Sequence, residues 1–172
     1  MLLQQTQSAQ VTEMLNDLVK INSDRISRYQ KAIDKTNLDS DLQCVFQKII
    51  SESKKHKEQL LEKMHELGIT PQDVMGISGQ IHRAWMDLCV VFTGNTRKGI
   101  MASCQYNEDI IHHAYTAALS VDLDMFEDIR ELIEKQLKTI KNISADIKNC
   151  RDEYYLANTT MKSFQYSPMV FS

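Results

Sequence analysis

Breaks are scarce in this chain. Its 172 residues contain 5 Gly and 2 Pro, and six of those seven fall between residues 68 and 99. A fold of many short strands needs far more turn residues, so a β-sandwich or β-barrel is excluded and long helices are expected. The apolar pattern agrees. Val11, Leu15, Leu18, Ile26, Tyr29 and Ile33 recur at steps of three and four over residues 11–36, which is one helical stripe. A second stripe over 40–67 carries Leu42, Phe46, Ile49, Leu60, Met64 and Leu67. Residues 97–120 carry Met101, Cys104, Ile111, Tyr115, Ala118 and Leu119, and residues 123–153 carry Phe126, Ile129, Ile133, Leu137, Ile140, Ile143 and Ile147. A shorter stretch, 77–93, places Ile81, Trp85, Leu88 and Phe92 on one face.

The breaks between stripes set the topology. Asp39 or Ser40 is expected to cap the second helix by accepting its free N–H groups. Gly68 is expected to end that helix in a left-handed conformation, with Pro71 close behind. The first and second long helices, and the third and fourth, are joined by short breaks, so each pair is an antiparallel hairpin. Residues 68–95 between the hairpins can travel back along the whole bundle, roughly 50 Å of loop and helix. The expected fold is therefore all-α: a ferritin-like four-helix bundle of two hairpins, with a long crossover that contains a shorter helix. Residues 11–155 form the bundle in this reading, with an N-terminal tail over 1–10 and a C-terminal tail over 156–172.

Composition removes several functions. Net charge is −3, which advertises no basic face for nucleic acid. The longest apolar runs fall short of a membrane span. Cys44, Cys89, Cys104 and Cys150 are widely spaced, with no Cys-x-x-Cys pair, and read as reduced thiols of a cytoplasmic protein. There is no Gly-rich phosphate loop and no nucleophile elbow.

Each stripe turns polar near its midpoint. Asn22 and Arg25 lie on the first, Ser53 and His56 on the second, Glu108 on the third and Gln136 on the fourth. Di-iron carboxylate bundles build their centre at this level from four carboxylates and two imidazoles: a Glu from each of two helices and a Glu-x-x-His from each of the other two. This chain has no Glu-x-x-His, and its first helix brings a guanidinium that stays charged and repels a metal ion. The leading expectation is a buried network in which Arg25 pairs with Glu108 while Asn22, Ser53, His56 and Gln136 complete the hydrogen bonds, with no cofactor. Two alternatives stay open. One is a degenerate or mononuclear divalent-metal site using Glu52, His56 and Glu108, with His112 as a further ligand. The other is a pocket for a small anionic ligand at Arg25. The Lys54-Lys55-His56-Lys57 run, His65 and His82 read as solvated surface. Trp85 and Met86 either pack the crossover helix onto the bundle or anchor an interface, and Phe164, Tyr166 and Phe171 are further interface candidates.

Several stretches carry a resemblance. Residues 18–29, Leu-Val-Lys-Ile-Asn-Ser-Asp-Arg-Ile-Ser-Arg-Tyr, are similar to the first helix of an uncharacterised bacterial ferritin-like four-helix-bundle family. Residues 81–88, Ile-His-Arg-Ala-Trp-Met-Asp-Leu, resemble its crossover helix, and the following 92–94, Phe-Thr-Gly, continue the match. The stretch from Ser103 to Tyr115 resembles its third bundle helix, and Glu134-Lys-Gln136 begins a match to the fourth. The resemblance spans roughly 11–151. It implies the ferritin-like fold and a bacterial source, and no activity. Gln105, His56 and Ser144 depart from the pattern, where an acidic residue, an aromatic and a histidine are common. Two possible metal ligands are thereby absent. The reading that follows is a non-enzymatic bundle that assembles as a homo-oligomer or with a helical protein partner.

Overall fold

The computed structural model describes residues 2–35, 39–71, 79–89, 92 and 96–165. It contains α1 (Leu2–Lys35), α2 (Ser40–Glu66), α3 (Gln80–Leu88), α4 (Arg97–Leu119) and α5 (Glu127–Gln165), with no strand among the described residues. The fold is an all-α bundle of four long helices, with α3 in the crossover.

Both outer helices exceed their apolar stripes. Residues 2–10, expected as a tail, continue α1, and residues 156–165 continue α5. Neither segment contains Gly or Pro, so nothing in the backbone stops the helix where the stripe fades. Gln7 in the added part of α1 donates to the Asp122 carbonyl at 3.4 Å. Phe164 lies in the last turns of α5, where only the backbone is described, and Tyr166 and Phe171 lie outside the described residues.

Contacts across the bundle give each helix its direction. Arg25 meets Glu108, while Tyr29 meets Cys104 further along, so α1 and α4 are antiparallel. Lys48 meets Asp146 and Lys63 meets Asp128, so α2 and α5 are antiparallel as well. Arg97 at the start of α4 binds Asp39 and Asp41 at the start of α2, so these two helices are parallel. The chain must therefore climb the full bundle between them, which is the ferritin-like connection. Asp39 does occupy the N-cap position of α2, but its side chain makes no cap bond. Its carboxylate is committed to Arg97 at 2.8 Å, since an ion pair outcompetes a neutral cap. The other end of α2 follows expectation. Gly68 sits at φ 68°, with Ile69 N–H on Met64 O at 2.8 Å and Gly68 N–H on His65 O at 3.0 Å, a Schellman closure.

The core has two apolar halves. One gathers residues such as Leu15, Leu18, Leu60, Met64, Trp85, Ile111 and Ile133. The other gathers Tyr29, Phe46, Ile49, Met101, Ile143 and Ile147, with the Tyr29 and Phe46 rings edge to face at 4.9 Å. Buried polar residues lie between them.

The crossover helix α3 runs along α1 and α4. Its first N–H groups have no helical partner, and α1 supplies carboxylates for them. Asp17 accepts from Gly79 at 2.8 Å, Ile81 at 3.0 Å and His82 at 3.1 Å, and Glu13 accepts from Gln80 at 3.0 Å. These are charge-assisted bonds at the positive end of the helix dipole. His82, expected on the surface, is buried and bonds Asp24 at 2.8 Å. Trp85 drops into the larger apolar half. Gly79 is required because an added Cβ would overlap Asp17 Oδ2 and the Glu13 side chain. The Gly79→Ala variant is therefore expected to lose about 1–3 kcal/mol in urea unfolding, because the cap must shift to make room. An unchanged midpoint would show that α3 is not held by this contact.

Candidate functional site

The middle of the bundle is built around one ion pair. Arg25 on α1 points across to Glu108 on α4. Its Nε donates to Glu108 Oε1 at 3.1 Å and its Nη2 donates to Oε2, a two-pronged contact between wholly buried groups. Nη1 donates to Ser53 Oγ on α2 at 3.1 Å, and the Ser53 hydroxyl in turn donates to the Ile49 carbonyl at 2.7 Å. Tyr29, one turn beyond Arg25, donates its hydroxyl to Glu108 Oε1 at 2.8 Å and lies 3.4 Å from Cys104 Sγ. Spacing explains the convergence. Arg25 and Tyr29 share one face of α1, and Cys104 and Glu108 share one face of α4.

Electrostatics keep the ionised forms where they are paired. Burial acts to lower the Arg25 pKa, but attraction to Glu108 outweighs it and the guanidinium stays charged. Burial pushes the Tyr29 hydroxyl well above its ordinary range. It does the same to the Cys104 thiol, helped by the Glu108 charge. Cys89 is pushed up to about 12, again mainly by burial. Neither thiol is a nucleophile at neutral pH.

A second polar layer lies one turn away. The Arg25–Ser53 contact between antiparallel helices sets Asn22 opposite His56. Asn22 Nδ2 donates to Leu18 O and to the Tyr115 hydroxyl, both at 2.8 Å. Tyr115 donates onward to Gln136 Oε1 at 2.9 Å. Gln136 Nε2 donates to the His56 carbonyl at 3.2 Å and to Gln59 Oε1 at 3.0 Å. The chain of donors thus crosses α1, α4, α5 and α2. His56 enters it through its backbone, not its ring as expected. The ring lies 6.2 Å from that of Tyr115, and its Nδ1, like Asn22 Oδ1, has no hydrogen-bond partner. Its pKa is lowered to about 4, by burial first and then by the charges of Arg25 and Lys55.

The two alternative sites look different here. Among the described residues, no three His, Cys, Asp or Glu side chains converge in a way that could hold a metal ion. Glu52 and His112 lie half-buried at the edges of α2 and α4. Glu108 has both oxygens committed to Arg25, so a fold-implied carboxylate metal centre does not fit these residues. An anion at Arg25 would have to displace the Glu108 carboxylate from a buried guanidinium. Of the other candidates, Trp85 is buried and Met86 is exposed, so only Met86 faces outward. Lys54, Lys55 and His65 are exposed, as expected. The sequence reading missed Tyr29, Tyr115, Cys104 and Gln59 as polar partners. The available signal was a tyrosine on two of the polar stripes, Tyr29 one turn from Arg25 and Tyr115 two turns from Glu108.

The buried imidazole makes stability depend on pH. Above pH 6.5 it is neutral whether the chain is folded or not. Below that, the unfolded chain binds a proton that the fold resists down to about pH 4. Stability therefore falls over this window, by up to about 3 kcal/mol from this residue. Urea midpoints of His56→Phe should fall less steeply than wild type between pH 7 and 4.5. Parallel curves would mean that His56 is protonated in the fold.

Three comparisons bear on this architecture. No curated protein matches the sequence. Among solved structures, a dodecameric thioferritin, the bacterioferritin-related protein from Bacteroides fragilis, shares the fold with a TM-score of 0.67, covering 92% of this chain and 90% of that one at 13% identity. The model of a family described as a domain of unknown function, DUF2383, matches residues 10–121, which is most of the bundle. The chain is thus a ferritin-like four-helix bundle and belongs to the DUF2383 family, whose function is unknown.

Proposed function

We propose that this protein is a non-enzymatic, self-assembling bundle of the cytoplasm, with the Arg25–Glu108 network standing where a di-iron carboxylate protein keeps its metals. The carrying observation is that both Glu108 oxygens are spent on one guanidinium. A metal-binding carboxylate must offer a lone pair to the ion, and here the nearest cation is covalently part of the chain. The described groups around the pair support the non-enzymatic reading as well. The buried thiols and tyrosines near the pair are held protonated, and the His56 ring bonds no hydroxyl or thiol that it could activate. Self-assembly is supported by exposed large apolar side chains. It is supported too by the dodecameric state of the thioferritin that shares this fold.

Two experiments test the reading. Light scattering on the untagged chain should return a stable oligomer, and protein purified without chelator should hold well below one metal ion per chain. A monomer, or stoichiometric iron, manganese or zinc that Glu108→Ala releases, would overturn it. The network also predicts asymmetric energetics. Glu108→Ala leaves Arg25 buried without its counter-charge and should cost about 3–5 kcal/mol. Replacing both partners, as Arg25→Met with Glu108→Leu, should cost much less, because a buried pair roughly offsets its own desolvation. Equal losses in the single and double variants would show that the two charges do not depend on each other.

A further inference from the structure

We propose that α3 is a lid on the α1–α4 seam, built to open while the four long helices stay packed. The proposal is independent of self-assembly and follows from how α3 is placed and held. Among the described helices, α3 packs only against α1 and α4. His82 bonds Asp24, the residue before Arg25. Two turns further on, the Cys89 thiol feels, beyond its burial, the charges of Arg28, Asp24 and Glu108. The short helix therefore lies over the flank of the Arg25–Glu108 pair, which bridges the same two long helices.

The ties of α3 are few and replaceable. It buries 2 of its 9 residues, His82 and Trp85, whereas α4 buries 11 of 23. It carries no cap of its own: Gly79 is the N-cap, the first turn has no acid and the last turn no base. A helix this short does not persist once released. The N–H groups of Gly79, Gln80, Ile81 and His82 all rest on Asp17 and Glu13 of α1. Water takes over each of these bonds when the lid lifts, and the Asp17 carboxylate is then hydrated, so opening strands no buried charge. The closed state also holds a flaw. Trp85 Nε1 is buried with no hydrogen-bond partner among the described residues, and opening gives it water. What keeps the lid shut is the Trp85 ring in the larger apolar half, together with the α1 carboxylates. The long helices are tied differently, because parting α1 from α4 leaves Arg25 and Glu108 uncompensated. Elements that open alone are drawn from segments with few buried contacts, and α3 is such a segment.

Hydrogen exchange on the full chain, in buffer and in low urea, tests this. The amides of Ile81, His82, Arg83 and Cys89, each with a defined acceptor, report on the lid. The amide of Ile111, in the core part of α4, reports on the bundle. Relative to their unstructured rates, the α3 amides should exchange at least about a hundredfold faster than Ile111 and respond much less to urea, because lifting one short helix exposes little surface. Asp17→Asn should speed the α3 amides about tenfold, since neutral acceptors replace charged ones. Ile147→Val, on the α5 helix that α3 does not touch, should speed Ile111 severalfold and leave the α3 amides unchanged. Equal protection in α3 and α4 would overturn the proposal. So would α3 amides that follow Ile111 in urea and in Ile147→Val, because α3 would then open only with the whole bundle. No response of the α3 amides to Asp17→Asn would overturn it as well, since the carboxylate would not be what holds the lid. If Asp17→Asn loses its helical circular dichroism signal, the urea and Ile147→Val comparisons decide alone.

Discussion

A guanidinium and a carboxylate with almost no access to water constrain everything around them. Each ion gives up several kcal/mol of hydration, and the pair breaks even only when its remaining hydrogen-bonding groups are also matched. Here Ser53 takes the third guanidinium contact and Tyr29 supplies a neutral donor to the carboxylate. The four residues come from three helices, so the relative heights of α1, α2 and α4 are coupled. The polar second layer, from Asn22 through Tyr115 to Gln136, extends the same coupling to α5. The two apolar halves of the core then fill the space above and below.

Helix α1 serves two surfaces with opposite chemistry. One face sends Arg25 and Tyr29 inward. Another presents Glu13, Asp17 and Asp24 to α3. The parallel run of α2 and α4 forces a long connection, and a short helix within it has an N-terminus that needs anions. Asp17 meets three N–H groups at once, which no side chain inside α3 could do. The connection demanded by topology is thereby fastened by charge.

Much of this architecture is legible in the residues. Stripe spacing and the scarcity of Gly and Pro define the helices. The break lengths define the crossover, and the opposite charges of Arg25 and Glu108 on core stripes define the pair. What escapes the sequence is competition for partners. Asp39 reads as a cap because nothing local shows Arg97 arriving from 58 residues away. His82 reads as surface because its partner, Asp24, lies on another helix. Tyr29 and Tyr115 read as core because their rings fit a stripe, while their hydroxyls find distant acceptors. His56 was legible as a core residue, but the role of its carbonyl rather than its ring is invisible in a side-chain pattern. The helical ends at 2–10 and 156–165 escaped because burial periodicity stops there although the backbone does not.

The polar middle is not a device for greater stability. Asn22 Oδ1 and His56 Nδ1 lack partners, and each buried orphan costs about 1–3 kcal/mol. Well-packed apolar residues would hold the same space with less loss. The gain lies in the alternatives it forbids. Four helices lined only with Leu and Ile could slide by a turn and still bury apolar surface. In this bundle, sliding α1 one turn against α4 would carry Arg25 from Glu108 to Cys104 or Ile111, leaving two buried charges uncompensated. The penalty for that state, about 3–5 kcal/mol for each abandoned partner, exceeds anything the apolar halves recover by repacking. A charged pair that adds little to the native state therefore separates it from its nearest competitors, and one of its two ions is a guanidinium that stays charged at any ordinary pH.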